Sequence, residues 1–112
     1  MSSLKKSVSN IGGEIVKDDE TYLLKDNKLL KNLVLSSTDL KPNKSTRGHS
    51  HAGQEEVYFF ISGRGRMEVG DDLFEVQEGD VVLIPDGSFH RVHNYTERML
   101  SFVCVFDGKR NH

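Results

Sequence analysis

The chain holds a single cysteine, so a disulfide within it is excluded. Cys104 alternates with Phe102 and Phe106 in a strand-like run, where a thiol behaves as a small hydrophobe, and it is expected in the core, not as a nucleophile. Long apolar stretches are missing too. The longest span five or six residues, as in Phe102–Phe106, against the roughly twenty that cross a bilayer, so no membrane helix is expected. Met1 to Lys6 are followed by polar residues without an apolar signal core, which argues against a cleaved export signal and gives the expectation of a cytoplasmic protein. Neither sign of charge dominates: 15 Lys and Arg stand against 17 Asp and Glu, a net charge of -2. That balance gives no electrostatic reason to seek nucleic acid or anionic lipid.

Helical periodicity is weak throughout, and what replaces it is a series of short runs rich in Val, Ile, Phe and Tyr between Gly, Asp and Asn clusters. The pattern predicts an all-β chain. Expected strands are Thr21–Lys25, Leu29–Ser37, Thr46–His51, Glu56–Ser62, Gly65–Val69, Leu73–Gln77, Val81–Pro85, His90–Tyr95 and Met99–Phe106. Gly70-Asp71-Asp72 reads as a hairpin turn, and Glu78-Gly79 and Asp86-Gly87 as further turns. Such regular punctuation favours a closed β architecture, a sandwich or a barrel. At 112 residues the chain suits one domain. Residues 16–112 are assigned to it, and residues 1–15 read either as a flexible arm or as an edge strand that pairs only in an oligomer.

Chemistry is concentrated in His49, His51, Glu56 and His90. Two residues apart on an extended strand, His49 and His51 project to the same side. The Ala52-Gly53-Gln54 break allows Glu56, opening the next strand, to turn back against them, with His90 arriving from a later one. Three imidazoles and a carboxylate form a mixed shell for one divalent transition metal ion, Mn, Fe, Co, Ni, Cu or Zn, with positions left for water or substrate. Glu56 is preferred to Glu55 because a slip of one residue reverses the facing of a strand.

These spacings resemble the two motifs of the cupins, G-x5-H-x-H-x(3 or 4)-E-x6-G and G-x5-P-x-G-x2-H-x3-N. The first is matched by His49, His51, Glu56 and Gly63, with Asn43 after Pro42 where the family usually has Gly. The second is matched by Gly79, Pro85, Gly87, His90 and Asn94. Asn tolerates the left-handed backbone best after Gly, so the turn at Asn43 is expected to survive. The resemblance implies a double-stranded β-helix, the cupin jelly-roll barrel, with a metal inside its mouth. It also implies oligomerisation, commonly a homodimer. Leu29-Leu30 with Leu33-Val34-Leu35 is one candidate surface for that and equally a candidate core strand.

Alternation extends the inward face to Arg47, Tyr58 and Phe60. Arg47 is either a water-exposed rim residue or the two-toothed anchor of a carboxylate or phosphate. Tyr58 either packs in the barrel or donates a hydrogen bond or proton to a bound intermediate. Phe60 is assigned to substrate contact, while Met67, Val69, Phe102, Cys104 and Phe106 are candidates for an apolar wall. Asn94 either orients His90 or braces its strand. His93, an odd number of positions from His90, is expected to face away from the metal, and Arg64 and Arg66 to face solvent or a partner subunit. The terminal His112 carries no signal. The expected activity is that of a metalloenzyme acting on a small oxygen-rich molecule, a sugar or sugar-phosphate isomerase type of reaction. A metal-dependent dioxygenase and a non-catalytic small-ligand-binding module are the alternatives.

Overall fold

In the computed structural model, which describes residues 4–108, nine strands form and no helix appears among the described residues. They are β1 (Glu14–Asp18), β2 (Tyr22–Asn27), β3 (Leu33–Leu40), β4 (Glu56–Ser62), β5 (Arg64–Val69), β6 (Asp72–Gln77), β7 (Val81–Ile84), β8 (His90–His93) and β9 (Leu100–Asp107). A six-stranded sheet has the order β1-β2-β3-β9-β4-β7, and a three-stranded one the order β6-β5-β8. Pairing between these strands is antiparallel throughout. The two sheets make the jelly-roll form of a double-stranded β-helix. His112 lies outside the described residues.

Side-chain alternation sets which way each strand faces. In β4, Glu56, Tyr58 and Phe60 are buried while Phe59 is exposed. In β3 it is Val34, Ser36, Thr38 and Leu40 that turn inward. Register then aligns these positions across β3, β9 and β4 as three inward rows: Val34–Phe106–Glu56, Ser36–Cys104–Tyr58 and Thr38–Phe102–Phe60. Phe60, Met67, Val92, Leu100, Phe102 and Phe106 form the centre of the core. Burial of each such side chain contributes roughly 1.5–3 kcal/mol. Cys104 is buried among them, as its alternation with two phenylalanines indicates.

Three expectations are corrected. Thr46–His51 is not a continuous strand; it touches the second sheet only through isolated bridges, Ser45 with His93 and His49 with His90. Gly48 interrupts it with a φ of 90°, and the pairing slips by one residue between the two bridges. β1 carries no alternation that a sequence reading can detect, because all five of its residues are exposed. It nevertheless pairs with β2 at the sheet edge, so Glu14 and Ile15 open a strand. β3 starts at Leu33 rather than Leu29, since the Asn27 side chain accepts the backbone N–H of Leu29 at 3.0 Å and turns the chain there.

Candidate functional site

The second sheet is extended by the segment before His51. Thr46 N–H donates to the Val92 carbonyl at 2.9 Å, and His49 and His90 exchange backbone hydrogen bonds at 3.0 and 2.9 Å. His49 is thereby fixed directly beside His90. A tight turn follows, with Gln54 N–H reaching the His51 carbonyl at 3.3 Å. Asp86 ties this turn to the one before β8 by accepting the Gly53 N–H at 2.6 Å. Loops carrying the two halves of the histidine set are thus joined by their backbones.

The rings meet accordingly. Centroids of His49 and His51 lie 5.5 Å apart with near-parallel planes, and His90 stands 6.4 and 6.1 Å from them, edge on. Glu56, from β4 of the opposite sheet, places Oε1 3.2 Å from His90 Nε2. Both of these side chains are almost fully buried, whereas Glu55 is exposed. His90 Nδ1 lies 3.1 Å from the Ser88 carbonyl, an acceptor only, so Nδ1 carries a proton and Nε2 is turned toward Glu56. Burial pushes the His90 pKa down, but the Glu56 hydrogen bond, the Ser88 carbonyl and the Glu56 charge outweigh it and hold the imidazole above its ordinary 6.5.

Among the described residues no group of three or more His, Cys, Asp or Glu is drawn close enough to count as a metal site. The chemistry of the donor set does fit one. Three imidazoles and one carboxylate are brought together from three chain segments, and the Ser88 contact fixes the His90 tautomer that leaves Nε2 free to ligate.

A cavity of about 310 Å³ is lined by His49, Glu56 and His90 together with Arg47, Tyr58, Phe102 and Cys104 among others, while His51 is not one of its lining residues. Arg47 sits at its exposed rim. Tyr58 is buried, stacked on Phe102 at 5.3 Å and edge on to His90 at 5.9 Å. Phe60, expected at the substrate, lies deeper at 1% exposure and is not on the cavity wall. Met67 and Phe106 are likewise core residues, and Val69 packs against that core, so of the expected wall only Phe102 and Cys104 line the cavity. Asn94 braces the chain: its amide donates to the carbonyls of Leu40, Lys41 and Arg98 at 3.0, 3.1 and 2.7 Å. His93 turns away, bound to Ser45 at 2.7 Å and Glu68 at 2.5 Å. Arg66 is exposed and pairs with Glu75.

Sequence reading missed Val16, Lys17, Tyr22, Leu24, Ser36, Thr38 and Thr46 on the wall. For Ser36 and Thr38 a signal existed. They alternate with Val34 and Leu40, and hydroxyls on the core face of a strand mark a polar place within it.

Fold and cavity together describe a β-barrel protein whose mouth gathers histidines and a carboxylate. The chain belongs to the cupins, because the family model described as Cupin domain matches residues 36–106. A protein of Streptomyces coelicolor described as uncharacterized is 30% identical over 86% of this chain and 89% of its own. The oxalate-binding protein of Thermotoga maritima is 26% identical over 88% and 82%, and the glucose-6-phosphate isomerase of Thermococcus litoralis 27% over 83% and 56%. Among solved structures, an oxalate decarboxylase of Bacillus subtilis with Mn(II) centres superimposes with a TM-score of 0.77 at 24% identity, covering 88% of this chain and 29% of that one. No helix among the described residues is long and apolar enough to cross a membrane.

Proposed function

We propose that this protein is a metal-dependent enzyme acting on a small, oxygen-rich anion, with an isomerase-type proton transfer on a sugar or sugar phosphate as its reaction. The observation that carries this reading is the shared cavity. Its wall combines three of the four donors, His49, Glu56 and His90, with a rim cation and a buried phenol, which are the parts needed to chelate, anchor and protonate one small molecule. His49, His51, Glu56 and His90 would hold the ion. When bound, a divalent ion supplies Lewis acidity that polarises a carbonyl oxygen. Relatives described as glucose-6-phosphate isomerase and oxalate-binding protein have anionic small molecules in their names, in keeping with the chemistry of Arg47.

The chain's own groups do the remaining work. Arg47 meets a carboxylate or phosphate with two parallel N–H donors and sets the orientation of the molecule. Phe102, with Cys104 beside it, forms an apolar wall that excludes water and strengthens every electrostatic contact inside. The Tyr58 hydroxyl donates a hydrogen bond to the substrate oxygen on which negative charge develops when the neighbouring carbon gives up its proton to solvent, and the proton returns from solvent to the adjacent carbon. We also read the active form as a homodimer, a reading supported by the apolar outer face of the six-stranded sheet.

The test is metal analysis of protein purified without added metal, followed by NMR of sugar phosphates in deuterated water. One bound divalent ion per chain and deuterium entering at the carbon beside the carbonyl are expected. A polypeptide that retains no divalent ion rules the reading out. Oxygen uptake during turnover would replace the isomerase by an oxygenase.

A further inference from the structure

The cavity has a wall that neither histidine motif supplies. Val16 and Lys17, consecutive residues of β1, both line it beside Tyr22 and Leu24 of β2. Neighbours on a regular strand face opposite ways. Here a bulge intervenes: Ile15 pairs with Lys25 but Lys17 with Leu24, so Val16 is the extra residue in the ladder. Bulges at barrel rims re-aim side chains in this manner. The result is a lysine on the rim of the same cavity as Arg47. Arg47 belongs to the segment that runs along β8 of the second sheet, and Lys17 to the edge of the first.

Charge on the wall is unbalanced. Glu56 is the sole carboxylate among the lining residues, against the two permanent cations Lys17 and Arg47. Lys17 does have an acidic neighbour, Asp19, at 3.4 Å, but the pair is 49% and 37% exposed, and such pairs hold weakly in water. Asp19 is engaged elsewhere as well, accepting the backbone N–H groups of Thr21 and Tyr22 at 2.8 and 3.1 Å. The Lys17 ammonium rests 5.0 Å from the centroid of the Tyr22 ring, itself part of the wall. That contact keeps the half-exposed ammonium at the cavity rim.

We infer that the bulged edge strand delivers Lys17 as a second anion-binding group of this site. The substrate then has two poles: an oxygen pair directed at the ion that the histidine and glutamate donors would hold, and a remote carboxylate or phosphate that Lys17 and Arg47 meet from the two sheets. This rests on the proposed reading of the cavity as a substrate site and narrows it. A small cavity of about 310 Å³ suits a molecule of a few carbons carrying both poles.

The experiment compares two pairs of hydroxy acids by calorimetry: L-malate with lactate, and 3-phosphoglycerate with glycerate. Within each pair only the remote anion differs. Metal content is measured in every sample of parent, Lys17→Met and Lys17→Arg protein. The parent is expected to bind the dianion of at least one pair about tenfold more tightly than its partner, one charge-assisted contact's worth of affinity. Lys17→Met lowers that preference several-fold to what Arg47 alone supplies, Lys17→Arg keeps it in full, and metal content is the same in all three. The responding pair tells a remote carboxylate from a remote phosphate. A parent that holds metal but shows no preference, or a Lys17→Met variant that retains it in full, overturns the inference and leaves the metal reading standing. A parent without metal fails that earlier reading instead.

Discussion

His90 is pulled two ways, and the balance can be measured at a single residue. Burial disfavours its charged form, while Glu56 and the Ser88 carbonyl favour it, and the second pair prevails. In Glu56→Gln only burial and the Ser88 contact remain. The titration midpoint of His90, followed by NMR in metal-free protein, is therefore expected above 6.5 in the parent and lower in the variant; an unchanged midpoint would mean that Glu56 does not govern it. Because the folded value is raised, this group's contribution to stability is complete below pH 6.5 and is lost as the pH climbs through the raised value. Ligation asks the opposite of the same nitrogen, since an imidazole binds metal only when deprotonated. His51→Ala and Glu56→Ala are expected to lose roughly a hundredfold or more in metal affinity, read by competition with a chelating dye. His93→Ala, whose ring is occupied by Ser45 and Glu68, and Glu55→Gln are expected to load as the parent does. Equal loading by all four variants would separate the histidine set from any metal.

Individual elements show which physical signals reach the sequence. β4 was legible to the residue because its two faces differ so sharply: Glu56, Tyr58 and Phe60 buried, Phe59 exposed. β1 was not, since a strand exposed on both faces has no period of two to betray it. With β1 the bulge that aims Lys17 went unseen, and so did a side of the cavity. The segment before His51 was legible in outcome but not in form. Its imidazoles lie side by side although Gly48 breaks the strand, because backbone bonds to β8, not continuous alternation, hold them there. The departure at Asn43 resolves as expected, with a φ of 59°, unique among the described residues other than glycine. Asn94 illustrates the opposite limit, for a motif match cannot say what the residue touches. Its buried amide gathers three carbonyls from β3, its following turn and the β8–β9 loop, while Oδ1 accepts the Thr96 N–H at 3.0 Å. Asn94→Ala leaves those groups without their shared partner and is expected to cost about 3 kcal/mol. That corresponds to a fall in Tm of more than roughly 10 °C, measured by thermal denaturation. A drop of only a degree or two would return Asn94 to the role of orienting His90.

At the level of the whole molecule the six-stranded sheet has a second apolar face turned away from the core, buried at Val103 and increasingly exposed toward β7. On the outer face the register aligns Leu83, Val57, Val105 and Leu35 in one row and Val81, Phe59 and Val103 in the next. Leu83 is 70% exposed and Val81 53%. Rows of this kind, unbroken by charge across four strands, are rare on the surface of a monomer and mark contact with another chain. The run that the sequence offered for the purpose divides between two roles: Val34 joins the core, Leu35 lies in the outer row, and Leu29, Leu30 and Leu33 are exposed. In the homodimer proposed above, a second copy related by a two-fold axis would present the same rows in return and need no complementary surface elsewhere. The inward rows that carry Glu56 and Tyr58 occupy the other face of the same strands, so the contact can form without obstructing the cavity. Light scattering after size exclusion should give twice the mass of one chain for the parent. The double variant Val81→Lys, Leu83→Lys should give one chain's mass, with metal content and ligand affinity retained, because β7 turns these two side chains away from the site. A parent that elutes as a monomer would leave the outer face unexplained by self-association, and a variant that lost metal along with its partner would tie the cavity to the interface more closely than the two faces of the sheet allow.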